Sequence, residues 1–231
     1  MEQEKKTSVW KTLSILIVFP ILYMLFGETY IAKELFANKN LDYYIPFWGG
    51  IIILHWTSVF VIMRFLKSEG KTLADIGYKL SRKGTLLLVG GYFLIAFLLV
   101  VGIEVMLSNV ELDNSRFGNL SGLIPKTTPH RLFFLFLVLS TGLCEEIVYR
   151  GFAINQLEKI GLNKWLALII AALIFIGIHG INAYSGSFIF YFGGGIMFGL
   201  VFLFSKRLLP SIILHLAINL SAMMAILELM R

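Results

Sequence analysis

Along this chain apolar residues come in long unbroken runs, and polar residues collect between them. The runs lie at roughly 9–26, 45–66, 85–107, 131–153, 164–179, 188–205 and 210–229. Each reads as a helix crossing a hydrocarbon core of roughly 30 Å, which takes about 20 helical residues. A membrane β-barrel would alternate apolar and polar positions, and the run LLLVGGYFLIAFLLVVG at 86–102 does not. The pattern therefore predicts an all-α, polytopic transmembrane helical bundle of about seven spans, seven to eight. The connections 27–44, 67–84 and 108–130 are polar, show no repeat and leave little room for a soluble domain. A single integral membrane domain over 1–231 is the expectation.

Composition agrees, with 58% hydrophobic and 15% charged residues and a mean hydropathy of +0.81, values foreign to a water-soluble domain of this length. A net charge of +6 could suggest nucleic acid, but the basic residues sit in short segments beside apolar runs and set topology instead. Lys5, Lys6 and Lys11 precede the first run. Lys67, Lys71, Lys79, Arg82 and Lys83 lie between the second and third, and Lys206 and Arg207 precede the last. With seven spans these segments share one side, which the positive-inside rule makes cytoplasmic, and the N-terminus with them. No small-residue cleavage site follows the first run, so it is kept as a helix. Cys144, the single cysteine, excludes an internal disulfide and a cysteine-based metal cluster. A lipid bilayer is the expected environment and nucleic acid is not an expected partner; the pattern assigns no oligomeric state.

One stretch changes the picture. TGLCEEIVYRG, from Thr141 to Gly151, places Glu145, Glu146 and Arg150 at the end of an apolar run. Ionisable groups inside a membrane cost about 2.5 to 3.5 kcal/mol each on insertion scales and mark function by default. Glu146 and Arg150, four apart on a helix, can pair, which would equally suit a structural clasp. Glu145 points about 100° away, so Arg150 can serve only one of the two carboxylates well. If Glu146 takes it, Glu145 is left in the situation that suits a general base.

Two later runs supply partners. Phe175 and His179 in AALIFIGIHGINA, and His215 and Asn219 in LPSIILHLAINLSA, are each four apart and share a helix face. One carboxylate and two imidazoles, from Glu145, His179 and His215, could hold a divalent metal such as zinc with an open position for water. Alternatively Glu145 could activate water with no metal while the histidines orient it, and Asn219 could donate to a developing oxyanion. Both routes lead to hydrolysis of an acyl or peptide bond within the bilayer. Two other classes stay open: a non-catalytic membrane protein that keeps the cluster for structure, and a small transporter using the glutamates as a proton relay.

On these residues the chain resembles the CPBP family, the CAAX-processing proteases and bacteriocin-immunity proteins also called the Abi family. The family pattern EExxxR reads as Glu145, Glu146 and Arg150; FxxxH reads as Phe175 and His179; HxxxN reads as His215 and Asn219. The resemblance covers roughly 130–229, where the catalytic helices would lie, and not the first three runs. It implies a helical intramembrane endopeptidase in which Glu145 activates water and Glu146 with Arg150 supports it. His179 and His215 would bind that water or a metal, and Asn219 would stabilise the oxyanion. The expected substrate is a membrane-associated peptide or protein, and the chain looks like the short bacterial kind linked to peptide maturation or bacteriocin self-immunity in the cell membrane.

Depth raises one conflict. From the expected span ends, Glu145 and His215 come out about 9 and 7 Å from the cytoplasmic face, but His179, counted from Lys164, comes out near 22 Å. Gly195 and Gly199 form a GxxxG spacing, expected to serve close packing within the monomer. His55, isolated in ILHWTS, reads as a packing residue or a contact to the substrate cavity.

Overall fold

The computed structural model describes residues 2–29, 42–107 and 122–230, so most of the connections 27–44 and 108–130 lie outside the described residues. Helix α1 covers Glu2–Gly27, α2 Tyr44–Ser68 and α3 Arg82–Leu107, with a 3-10 turn at Leu73–Ile76 between α2 and α3. Helix α4, Thr128–Glu145, runs on as a π-helix over Glu146–Ile154 and then as α5, Asn155–Lys159. Helix α6 covers Lys164–Gly177, a 3-10 turn follows at Ile181–Tyr184, and α7, Phe188–Ser205, and α8, Leu208–Met230, close the chain. No strand occurs among the described residues.

Among the described residues six helical stretches are long and apolar enough to cross a membrane: Val9–Gly27, Tyr44–Ser68, Arg82–Gly102, Thr128–Lys159, Phe188–Ser205 and Leu208–Ile226. Their outer faces carry Leu86, Leu87, Leu94 and Leu98 on α3 and Phe190 and Phe204 on α7, all well exposed. Hydrocarbon is the environment that tolerates such a surface. The chain is an integral membrane protein built as a helical bundle. The fifth apolar run forms a helix of only 14 residues, about 21 Å long and short of a full crossing.

The fourth stretch explains that short helix. It starts where Thr127 caps it, its side chain accepting from the His130 backbone N–H at 3.4 Å. It does not stop near residue 153 but continues to Lys159, so α6 starts farther out than the sequence suggests. There Asn163 Oδ1 accepts from the N–H groups of Trp165 and Leu166 at 3.1 and 3.0 Å and caps α6.

Ends of different helices meet on the basic face. Lys159 Nζ donates to both carboxylate oxygens of Glu69 at 2.7 Å, and Leu208 N–H donates to the Gly77 carbonyl at 3.0 Å. The segments bearing Lys67, Lys71, Lys79, Arg82, Lys206 and Arg207 thus share one face, as the charge pattern expects. A Cβ on Gly177 would meet Met24 and Pro20, so α1 packs against the end of α6.

The same contacts resolve the conflict in depth. A Cβ on Gly151 would lie 3.0 Å from both the Ile76 carbonyl oxygen and Leu208 Cδ1, so Gly151 marks the level of the basic-face turns. From Gly151 to Lys159 the chain projects about 12 Å beyond that level, and α6 begins out there. Roughly half of the path from Lys164 to His179 is therefore outside, and His179 sits about 10 Å inside. Glu145, counted from Gly151, lies about 9 Å inside, and His215, counted from Leu208, about 10 Å.

Most residues of the fourth stretch are buried, unlike those of the other five spans. Around it, close helix approach depends on two glycines. A Cβ on Gly195 would come within 3.0 Å of Ala172 Cβ and 3.2 Å of its Cα, and one on Gly199 would run into Leu168 Cδ1. The GxxxG pair of α7 thus packs on α6 within the monomer. Gly195→Val is expected to lower stability by about 1 to 3 kcal/mol through overpacking. Gly193→Ala, with nothing within 4 Å of the added Cβ, should not lower it. Thermal unfolding of the two variants in detergent checks this, and a Gly195→Val midpoint equal to wild type would contradict it.

Candidate active site

The long fourth stretch changes its hydrogen bonding at the point where its charges begin. Glu145 is the last residue of α4 and Glu146 the first of the π-helix, which runs for nine residues and contains Tyr149 and Arg150. A π segment of this kind replaces i→i+4 by i→i+5 bonding, is rare, and is found mostly at functional sites. The Glu146–Arg150 pair nonetheless closes, with Arg150 Nη1 at 3.0 Å from Glu146 Oε1.

Arg150 is 2% exposed and Glu146 0%, so neither charge is solvated by water. The guanidinium lies over the rings of Phe175 on α6, 4.3 Å to the centroid, and Phe198 on α7, 5.0 Å. Its Nη2 lies 3.5 Å from the Gly195 carbonyl oxygen, a contact made possible by the close approach at that glycine. Glu146 Oε1 also accepts from His215 Nδ1 at 2.8 Å. The His215 ring stacks on Phe198 with centroids 4.5 Å apart.

Glu145 has different neighbours, as the 100° argument requires. Its Oε1 lies 3.0 Å from His55 Nε2 on α2, and its Oε2 lies 3.6 Å from His215 Nε2 on α8. The two adjacent carboxylates therefore bracket one imidazole from either side. The sequence offers Glu145 partners only from the two later runs; the structure adds His55, 90 positions away. His55 is buried and also hydrogen-bonds the Ile51 carbonyl through Nδ1 at 2.8 Å.

His179 stands just past the end of α6 and is exposed. Its Nδ1 is 3.2 Å from the Phe175 carbonyl oxygen, and its ring stacks on Tyr191 with centroids 3.9 Å apart. Phe175 turns its ring edge-on to both His179, at 4.9 Å, and His215, at 6.4 Å, and so lies between the two histidines. Asn219, one turn from His215 on α8, donates to Thr141 Oγ1 at 3.3 Å, one turn before Glu145 on α4. All six residues singled out in the sequence, Glu145, Glu146, Arg150, His179, His215 and Asn219, thus meet where α4, α6, α7 and α8 converge. Cys144 is fully buried in the core.

Glu145 Oε2 and His215 Nε2, at 3.6 Å, are spaced like two ligands of one ion, while the His179 ring stacks on Tyr191 with Nδ1 on the Phe175 carbonyl, which leaves Nε2 as its remaining ligating atom. Among the described residues no group of three or more His, Cys, Asp or Glu side chains is disposed to hold a metal ion.

His55, Tyr191 and Phe198 are contributors that sequence reasoning did not assign to the site. His55 carried a signal, being an ionisable residue inside an apolar run, but no spacing linked it to Glu145. Phe198 and Tyr191 carried none, because aromatics are common in every span.

Removing the cation from the buried pair strands Glu146, so Arg150→Met should cost about 3 to 5 kcal/mol of stability and deplete the protein from membranes. In a Glu146→Gln background the same substitution should cost much less. Membrane level and unfolding midpoint of the four proteins check the coupling, and an equal cost in both backgrounds would disprove it.

Comparison with known proteins bears on residues 127–221, which match the family model described as type II CAAX prenyl endopeptidase Rce1-like. No curated protein and no solved structure matches the chain. The matched segment opens at the cap of α4 and closes just past Asn219, so it holds all six of those residues and leaves α1, α2 and α3 outside. Over residues 127–221, and over that segment alone, this membrane protein is therefore similar to the Rce1-like, type II CAAX prenyl endopeptidase family.

Proposed function

We propose that the protein is an intramembrane endopeptidase that hydrolyses a peptide bond in a membrane-associated peptide or protein with water activated by Glu145. The observation that carries this reading is the division between the two glutamates. Glu146 is neutralised by Arg150, whereas Glu145 keeps Oε2 facing an imidazole nitrogen at 3.6 Å.

Protons on the histidines give the arrangement a direction. His215 Nδ1 faces a carboxylate oxygen, an acceptor, so it carries the proton and Nε2 presents a lone pair. A water about 2.8 Å from both Glu145 Oε2 and His215 Nε2 can donate one hydrogen to each, which aims its oxygen lone pair outward at a substrate carbonyl carbon. As the oxygen attacks, Glu145 takes a proton, the carbonyl becomes an oxyanion, and the second N–H of the Asn219 amide is available to donate to it. Return of the proton from Glu145 to the amide nitrogen lets the C–N bond break, leaving an acid and an amine. His179, with its Nδ1 committed to the Phe175 carbonyl, offers Nε2 to orient the water or the substrate. This route uses no metal.

The setting we propose is a bacterial cell membrane with the basic face and N-terminus cytoplasmic, supported by the basic residues sharing one end of the bundle. Peptide maturation or bacteriocin self-immunity suits a small membrane protease there. A second reading, a non-catalytic immunity or regulatory protein, draws on the fact that Glu146, Arg150 and His215 already hold the bundle together.

Purified protein incubated with membrane peptides, both prenylated at a C-terminal cysteine and unprenylated, distinguishes the readings. Glu145→Gln should abolish cleavage while leaving the membrane level unchanged; cleavage by this variant would sink the role of Glu145 as base, and no cleavage by the wild type would sink the enzyme reading. Asn219→Ala should lower kcat about 100- to 1,000-fold, the usual cost of one oxyanion donor, with KM little changed. Chelation should leave the wild-type rate intact. Loss on chelation with recovery on adding zinc would instead put an ion on Glu145, His179 and His215.

A further inference from the structure

We infer that His55, from a helix outside the Rce1-like segment, is a positioning residue that fixes which oxygen of Glu145 acts as the base; the inference rests on the role proposed for Glu145. The Ile51 carbonyl oxygen can only accept, so His55 Nδ1, 2.8 Å away, carries a proton. His55 Nε2 then faces Glu145 Oε1 at 3.0 Å. An unprotonated carboxylate oxygen is also only an acceptor, so this contact holds a hydrogen between the two atoms.

For Glu145 to be the base it must stay a carboxylate, so the hydrogen belongs to His55 Nε2 and Oε1 is occupied by accepting it. Oε2 is the remaining oxygen, and it faces His215 Nε2. A carboxylate on a short flexible stem would otherwise rotate and present either oxygen in varying directions. The bond to His55 holds it in one orientation, which is what a base must have for water to sit between it and a second acceptor.

A packing role alone does not account for this geometry. A neutral core histidine that donates from Nδ1 would take a donor on its other nitrogen, whereas here Nε2 faces a carboxylate oxygen, itself an acceptor. His55 itself is held in place from a second side, where the ring of Tyr23 on α1 meets it edge-on with centroids 4.8 Å apart. Both α1 and α2 lie before the matched residues 127–221. The N-terminal half of the chain thereby completes the active site, and its helices are part of the enzyme as well as of the membrane anchor.

The test uses the full-length protein and the peptide that the wild type cleaves. His55→Leu removes the donor, and His55→Gln keeps an amide N–H that reaches the same oxygen. His55→Leu should lower kcat about 100-fold, the scale of a misplaced reacting group, with KM within about 3-fold. His55→Gln should recover to within about 10-fold of wild type, since it restores the hydrogen bond. Unfolding midpoints show that the proteins compared are folded, and if the leucine variant does not fold, His55→Phe, which keeps a ring against Tyr23, replaces it. Near-wild-type turnover by the leucine or phenylalanine variant, with Glu145→Gln inactive, overturns the role of His55 and leaves the endopeptidase reading standing. So does a folded His55→Gln that is as inactive as the leucine variant. Turnover by Glu145→Gln overturns the roles of Glu145 and His55 together.

Discussion

Glu146 carries a carboxylate with no exposure inside a membrane-embedded bundle, and the packing around it follows from offsetting that charge. Arg150, four residues on, supplies the cation. The guanidinium in turn must be desolvated, and the rings of Phe175 and Phe198 cover it from α6 and α7. Phe198 also stacks on His215, whose Nδ1 returns to Glu146. One ion pair thus ties three helices to the π-helix. The small residues Ala172 and Gly195 let α6 and α7 come close enough for this to happen.

That closed network is what separates the neighbouring carboxylate from it. With Arg150 committed to Glu146, no cation of the same helix is left for Glu145, and its partners are imidazoles from α2 and α8. Imidazole can hold or pass a hydrogen, whereas guanidinium effectively cannot be deprotonated. Adjacent glutamates of the same chemistry are thus fitted for different work by the helix faces they occupy. On the proposed reading, the cost of burying Glu146 is offset by its ion pair and packing, and that of burying Glu145 serves the chemistry.

Much of this was legible in the sequence because its signals are local. Apolar runs gave the helical bundle, and i,i+4 spacing gave Glu146 with Arg150, Phe175 with His179, and His215 with Asn219. What was not legible depends on contacts between distant parts of the chain. No pattern shows that His55 meets a glutamate 90 positions later, or that Phe198 covers Arg150. The end of the fourth helix was also misread, since Asn155 to Lys159 look like a loop by polarity but form a projecting helical turn. That single boundary made His179 look too deep, and moving it out brings His179 level with Glu145 and His215.

The central claim is that the first of the two glutamates is the base and the second is structural. It is tested most directly by the turnover of Glu146→Gln, measured per folded molecule beside Glu145→Gln. The account predicts that Glu146→Gln is less stable yet keeps measurable cleavage, at least about 100-fold above Glu145→Gln, in line with the scale of general-base catalysis. A folded Glu146→Gln with no cleavage, or a Glu145→Gln that cleaves faster than it, would contradict the assignment.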